Sequence, residues 1–179
     1  MDDVFIEKIV PRKKSGVDYL KIVGVILAYL LVMALLFLFA FQYIAFLMPL
    51  LFFGGAWLVY MVITNMNVEH EYIVTNGDLD IDAIYAQRKR KRLFTGKAKD
   101  FEICARVNSD EYKQYSKNKS LKVLDASSNT NAPNTWFLVG PSKGQKMLVL
   151  FEPDKRIMDN LRRFNPSRIK YNPTVDTFD

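Results

Sequence analysis

The sequence is poor in the side chains that carry most metal and nucleophilic chemistry. It holds one cysteine, Cys104, and one histidine, His70. A lone thiol excludes an internal disulfide framework and a thiolate cluster for zinc or iron and sulfur, and it fits a reducing compartment. A lone imidazole leaves no histidine pair for a metal and makes any Ser/His/Asp or Cys/His set depend on His70. No repeat with a period of about 20–50 residues is present. The longest absence is of charge: from Ile22 to Ile63, 42 consecutive residues include no Asp, Glu, Lys, Arg or His. As helix, at about 1.5 Å per residue, that run is long enough to cross an apolar layer of about 30 Å twice.

The run predicts a membrane helical hairpin with spans at Tyr19–Phe41 and Met48–Thr64, joined through Gln42–Leu47. Pro49 suits the first turn of the second helix, where its missing N–H costs nothing. The first apolar stretch exceeds a secretory h-region and is followed by no small-residue cleavage pattern, so it is expected to stay in the mature protein. Lys and Arg precede the first span and follow the second, while the connection has none. The positive-inside rule then places both termini in the cytoplasm, in a two-span protein of the cell membrane. Gly24 with Ala28, and Gly54 with Gly55, would permit close helix approach. Neither span contains an ionisable residue, which argues for an anchor and against a proton relay or ion pathway.

The rest divides into a basic N-terminus at 1–18, the hairpin region at 19–65, one domain at 66–166 and an extended or disordered tail at 167–179. After the hairpin the periodicity changes to alternation. Val68, His70, Tyr72 and Val74 oppose Glu69, Glu71, Ile73 and Thr75, and Asn76-Gly77 is a strong hairpin signal. Further strands are predicted over 78–85, 87–95, 99–107, 121–126, 136–139 and 146–151. Residues 108–119 read as loop with room for a helical turn. Ile157, Met158, Leu161 and Phe164 recur at helical spacing after Pro153, with Asn165-Pro166 as the stop. The expected fold is therefore a membrane α-helical hairpin plus a mainly-β domain of about seven antiparallel strands and a C-terminal helix.

The segment Val68-Glu-His-Glu-Tyr-Ile-Val-Thr-Asn-Gly-Asp-Leu-Asp-Ile-Asp82, the basic Gln87–Leu93 run and Phe101-Glu-Ile resemble bacterial PH-like domains attached to transmembrane segments. With Val123-Leu-Asp-Ala-Ser-Ser-Asn129 and Phe151-Glu-Pro-Asp154, nearly the whole chain is similar to a family of small two-span proteins of anaerobic Gram-positive bacteria. The resemblance implies two antiparallel sheets closed at one end by a C-terminal helix. It brings a fold and no activity, because the PH superfold hosts lipid, peptide and structural roles.

The net charge of +6 lies mostly after the hairpin, with 20 bases against 15 acids. Such a surplus favours acidic partners: anionic lipid headgroups at the bilayer, an acidic protein surface, and least of all nucleic acid, which is not expected. Arg88, Lys89, Arg90, Lys91 and Arg92 form the candidate adhesive patch. As a regular strand they would place Arg88, Arg90, Arg92 and Phe94 on one face. In the competing structural reading, Asp82 faces Arg90 and Asp80 faces Arg92 as cross-strand pairs. Asp125-Ala-Ser-Ser-Asn-Thr-Asn131 offers oxygens to a cation or ligand but lacks EF-hand spacing, and a solvated turn accounts for it. Glu69, His70 and Glu71 alternate across a strand and so do not converge on one site. No cofactor and no enzymatic activity are expected. The chain reads as an interaction or scaffold protein presenting a basic β-domain at the membrane, with an accessory subunit contacting partners through its hairpin as the alternative.

Overall fold

The computed structural model describes residues 4–129 and 132–178. It divides into two compact units: residues up to Arg12 together with Glu69 onward, and Lys13–Val68 between them.

The β unit begins earlier than the sequence suggested. Phe5–Pro11 is a strand, β1, inside the stretch read as a basic cytoplasmic terminus. It pairs antiparallel with β2 (Val68–Thr75) in a register running from Phe5↔Thr75 to Pro11↔Glu69. Ile6 and Val10 face the core, but Phe5 and Ile9 on the other side are also apolar, and the charges of Glu7 and Lys8 obscure the alternation. β3 (Asp78–Tyr85) and β4 (Lys89–Lys97) complete a sheet of order β1-β2-β3-β4. Asn76 and Gly77, both with positive φ, make the turn between β2 and β3, as the Asn-Gly signal requires.

A second sheet contains β5 (Ile103–Arg106), β6 (Lys122–Asp125), β7 (Trp136–Ser142) and β8 (Gln145–Phe151), in the order β5-β7-β8-β6. β6 lies parallel to β8, so the described strands number eight and are not all antiparallel. Both faces of β7 are buried. One side, with Trp136 and Leu138, joins the main core of both sheets; the other, with Phe137 and Val139, packs under Tyr112 and Tyr115. Those tyrosines belong to a short helix, Asp110–Ser116, where loop with room for one helical turn was expected; Ser109 caps it by accepting from the Tyr112 amide. The final helix of the chain, Lys155–Phe164, seals the main core with Ile157, Met158 and Leu161, and Asp154 caps its N-terminus.

The segment after it is not a loose tail. Ile169 and Tyr171 are buried, and the chain forms a parallel bridge beside β5 through Cys104 N–H to the Arg168 carbonyl (3.0 Å) and Lys170 N–H to the Cys104 carbonyl (2.7 Å). Phe178 stacks on Trp136, and Arg106 Nε donates to Asp176 Oδ1 at 2.8 Å. Ring burial and backbone bonding to the β5 edge override a polar, proline-bearing composition.

The other unit holds two helices, Gly16–Ile44 and Met48–Asn65, joined by a 3-10 turn at Ala45–Leu47. Ser15 and Asp18 form a capping box that starts the first helix three residues before the expected span. Pro49 lies in the first turn of the second helix, as predicted. Tyr29 Oη donates to the Phe52 carbonyl at 2.8 Å, so the second helix returns along the first. The region 16–65 contains a segment long and apolar enough to cross a membrane, and none of its residues is buried within the chain.

Candidate functional site

The basic run lies at the turn between β3 and β4. Ala86 and Gln87 take left-handed φ values of 50° and 56°, and Arg88 N–H closes the turn on the Tyr85 carbonyl. Register then pairs Tyr85 with Lys89, Ala83 with Lys91 and Asp82 with Arg92; past a bulge, Ile81 meets Phe94. The bulge leaves Leu93 without a partner and reverses the parity of the strand. Phe94 is therefore fully buried while Arg92 lies on the opposite, outward face, and the expected grouping of Arg92 with Phe94 is corrected.

The five bases separate into two roles. Arg92 bridges Asp80 at 2.6 Å and Asp82, with the Nε–Oδ1 contact to Asp82 the tighter. The hydrogen bond to Asp82 is the main cause holding the guanidinium's pKa above its ordinary value, with Asp80 adding to it. Arg90 reaches across to Glu71 on β2 at 2.8 Å. Burial pushes the Glu71 carboxyl above the usual range, and neighbouring Glu7 adds to this while Arg90 opposes it. Of the anticipated ion pairs, Asp80 with Arg92 forms, whereas Asp82 also takes Arg92 and Arg90 turns to Glu71 on a third strand. Arg88, Lys89 and Lys91 are exposed, and their side chains make no ion pair or hydrogen bond among the described residues.

Their position is set by Gln87, whose Nε2 donates to Glu69 Oε1 at 3.2 Å. Glu69 is opposite Pro11 in the β1–β2 register. The basic turn consequently sits at the end of the first sheet where the chain leaves for the helices and where it comes back.

A second polar assembly was missed as a unit. It joins β1 and β2 to the second sheet. Lys8 Nζ donates to the Glu152 carbonyl at 2.8 Å; Tyr72 Oη donates to the Ala126 carbonyl and accepts from Glu152 N–H; Glu152 Oε1 receives Ser128 N–H and Oγ–H. Desolvation lowers the Lys8 pKa against the attraction of Asp154 and Glu152. Asp125 Oδ1 accepts both Ser127 N–H (3.0 Å) and Ser127 Oγ–H (2.6 Å). That carboxylate oxygen is thereby used inside a turn; Thr130 and Asn131 of the suggested cation loop lie outside the described residues. His70 is buried with Nδ1 unpartnered, and desolvation lowers its pKa against Asp125, the Ser127 carbonyl and Glu152. Ser127 gives its hydroxyl proton to Asp125 and not to His70. Glu69, His70 and Glu71 alternate as read from the sequence, with His70 on the core face and Glu71 on the opposite face, where it too is buried.

The model of the family described as Bacterial PH-like domain (DUF6106) matches residues 2–171. The chain belongs to this family. Comparison with curated proteins and with solved structures returns no match. The match takes in β1, both apolar helices and the C-terminal helix, so the family unit of this PH-like protein includes its helices. Asp125, Ser127, Ser128, Glu152 and Asp154, which belong to the two segments that narrowed the resemblance to the two-span family, meet in the assembly around Tyr72 and Lys8. That resemblance was the only sequence signal for it.

The helix-packing candidates of the PH-like protein do not act together. A Cβ at Gly55 would lie 2.7 Å from the Tyr29 ring, so Gly55 alone of the glycines permits the contact between the two helices. Gly24 and Gly54 have no neighbour within 4 Å on that measure, and Ala28 is exposed. The helices meet through Tyr29, Phe52 and Gly55 instead of a small-residue seam.

Proposed function

We propose that the protein is a non-enzymatic, membrane-anchored PH-like interaction module whose helices cross the bilayer as a two-span hairpin and whose basic turn docks on anionic headgroups at the cytoplasmic face. The observation that carries this reading is the Gln87–Glu69 hydrogen bond at the Pro11↔Glu69 end of the sheet. A domain suspended from a bilayer by the connections at that end directs that end toward the headgroups. Arg88, Lys89 and Lys91 then lie where each charge near an anionic surface contributes about 1 kcal/mol. Arg90 and Arg92 are spent on Glu71, Asp80 and Asp82 and add less.

The test uses the β unit with residues 13–67 replaced by a short Gly/Ser loop, floated with vesicles. Binding to anionic vesicles is expected to weaken on the order of a hundredfold when Arg88, Lys89 and Lys91 are all changed to Gln, and to fall with salt. Equal binding to neutral vesicles, or binding indifferent to both salt and the three substitutions, removes the lipid reading.

The open faces at Gly24, Ala28 and Gly54 favour a second reading, an accessory subunit that meets partner helices there. It requires that Gly24→Leu and Gly54→Leu abolish partner capture by the full chain while leaving vesicle binding intact.

A further inference from the structure

We infer that the end of the β unit remote from the basic turn carries a binding site for a phosphate-type oxyanion on a water-soluble molecule. A cleft of about 490 Å³ opens there, lined by Lys99, Phe101, Glu102, Tyr115, Asn165, Ser167 and Arg168. Asn165 builds it: its buried Nδ2 lies within hydrogen-bond distance of the carbonyls of Ala98, Lys99 and Phe101 at 2.9, 3.4 and 3.1 Å. One side chain thus joins the turn after β4 to the segment following the last helix. Lys99 and Arg168 both line the cleft, and the backbone that carries each is tied down: the Lys99 carbonyl lies near Asn165 Nδ2 and the Arg168 carbonyl accepts from Cys104 N–H.

Cations outnumber unpaired anions in the lining. Asn165 Nδ2 turns its two N–H groups toward the three carbonyls, and Glu102, the cleft's carboxylate, is paired with Lys146. Lys99 and Arg168 have no ion-pair partner among the described residues, and Tyr115, its ring held against Phe137, adds a phenol. What remains is a set of donors flanking a space. A guanidinium presents paired N–H groups that match phosphate oxygens, and an ammonium supplies a second point charge.

The location selects the source of the anion. β4 runs from the basic turn at Lys89 to Lys97, and the cleft begins two residues later, at the opposite end of that strand. Oxyanion binding itself rests on other residues than lipid docking, whereas the choice of a water-soluble source rests on the proposed membrane-facing placement of the basic turn; the two are tested by different variants.

Full-length protein in neutral nanodiscs is titrated with glycerol 3-phosphate and, separately, with vesicles bearing phosphatidylglycerol, followed by calorimetry and by the chemical shifts of Lys99 and Ser167. Saturable binding of glycerol 3-phosphate is expected, weakened by at least about tenfold in Lys99→Gln/Arg168→Gln and unchanged in Arg88→Gln/Lys89→Gln/Lys91→Gln. Both cations are exposed, so the double variant is expected to keep the wild-type unfolding transition. Absence of saturation, equal binding by the double variant, or shifts at Lys99 and Ser167 elicited only by the vesicles would overturn the inference.

Discussion

At the residue scale, Leu93 sorts charge from core within one strand. Without the bulge there, Phe94 would share the outward face with Arg92 and the sheet would lose a fully buried ring. Gly77 is as exacting. Its φ of +83° belongs to the Asn-Gly turn, and a Cβ would lie 2.4 Å from the Phe164 ring that covers it. Gly77→Ala is expected to destabilise the β unit by about 2–3 kcal/mol, from backbone strain and displacement of Phe164 together, read as a lower denaturant midpoint at unchanged slope. His70 supplies a pH dependence. Burial lowers its pKa, so on acidification the unfolded chain takes up the proton before the folded one. Its contribution is complete above the ordinary histidine value of about 6.5 and is lost as pH falls through that value toward the depressed one. Glu71, held above its ordinary value, acts in the opposite sense in more acid solution, so the wild type must be compared with a variant. Between about pH 7.5 and about pH 5.5 the melting temperature should fall further for the wild type than for His70→Gln; parallel pH profiles would refute the assignment.

At the element scale, β1 is the strand on which the rest of the first sheet depends. Ile6 and Val10 are buried in the main core and Lys8 ties β1 to the Glu152 carbonyl. Burial of two such aliphatic side chains is worth about 3–6 kcal/mol before the ladder hydrogen bonds are counted, a large share of an ordinary domain's stability. The fragment Met66–Asp179 is therefore expected to be proteolytically labile and to lack a cooperative melt. The chain in which a short loop replaces 13–67 keeps β1 and should melt cooperatively; a stable Met66–Asp179 fragment would show β1 to be dispensable. β1 also marks where sequence reading stopped. β2, β3, β7, β8 and the last helix were legible because each presents a clean period or a continuous apolar run. β1 was not, since apolar and charged residues fall on both its faces and its partner lies beyond two intervening helices. The docked segment after Asn165 escaped for a related reason: Ile169, Tyr171 and Phe178 are too sparse to show a period, and their burial follows from β5 and Trp136. Of the candidate site, the basic run was visible from composition. Its division into Arg90 and Arg92, which pair, and Arg88, Lys89 and Lys91, which do not, depends on Glu71 and on the bulge.

At the scale of the whole molecule, strand pairing constrains topology more tightly than charge bias does. Pro11 and Glu69 are register partners in one sheet, so the chain segment between them departs from and returns to the same side of any bilayer. If the segment crosses, it crosses an even number of times. The first helix spans about 43 Å and the second about 27 Å at the usual rise, each of the order of a hydrocarbon core of about 30 Å, so the proposed membrane anchor calls for two crossings. Cysteine labelling tests this directly, because native Cys104 is buried and burial raises its thiol pKa, leaving it a poor nucleophile. In intact cells, Phe46→Cys in the exposed turn between the helices is expected to react with an impermeant maleimide, whereas Ser15→Cys and Lys119→Cys should react only after permeabilisation. Labelling of all three on one side would place the helices on the membrane surface. Opposite labelling of Ser15 and Lys119 is forbidden by the β1–β2 register, so that outcome would overturn the pairing itself and with it the proposal that the basic turn docks on the membrane.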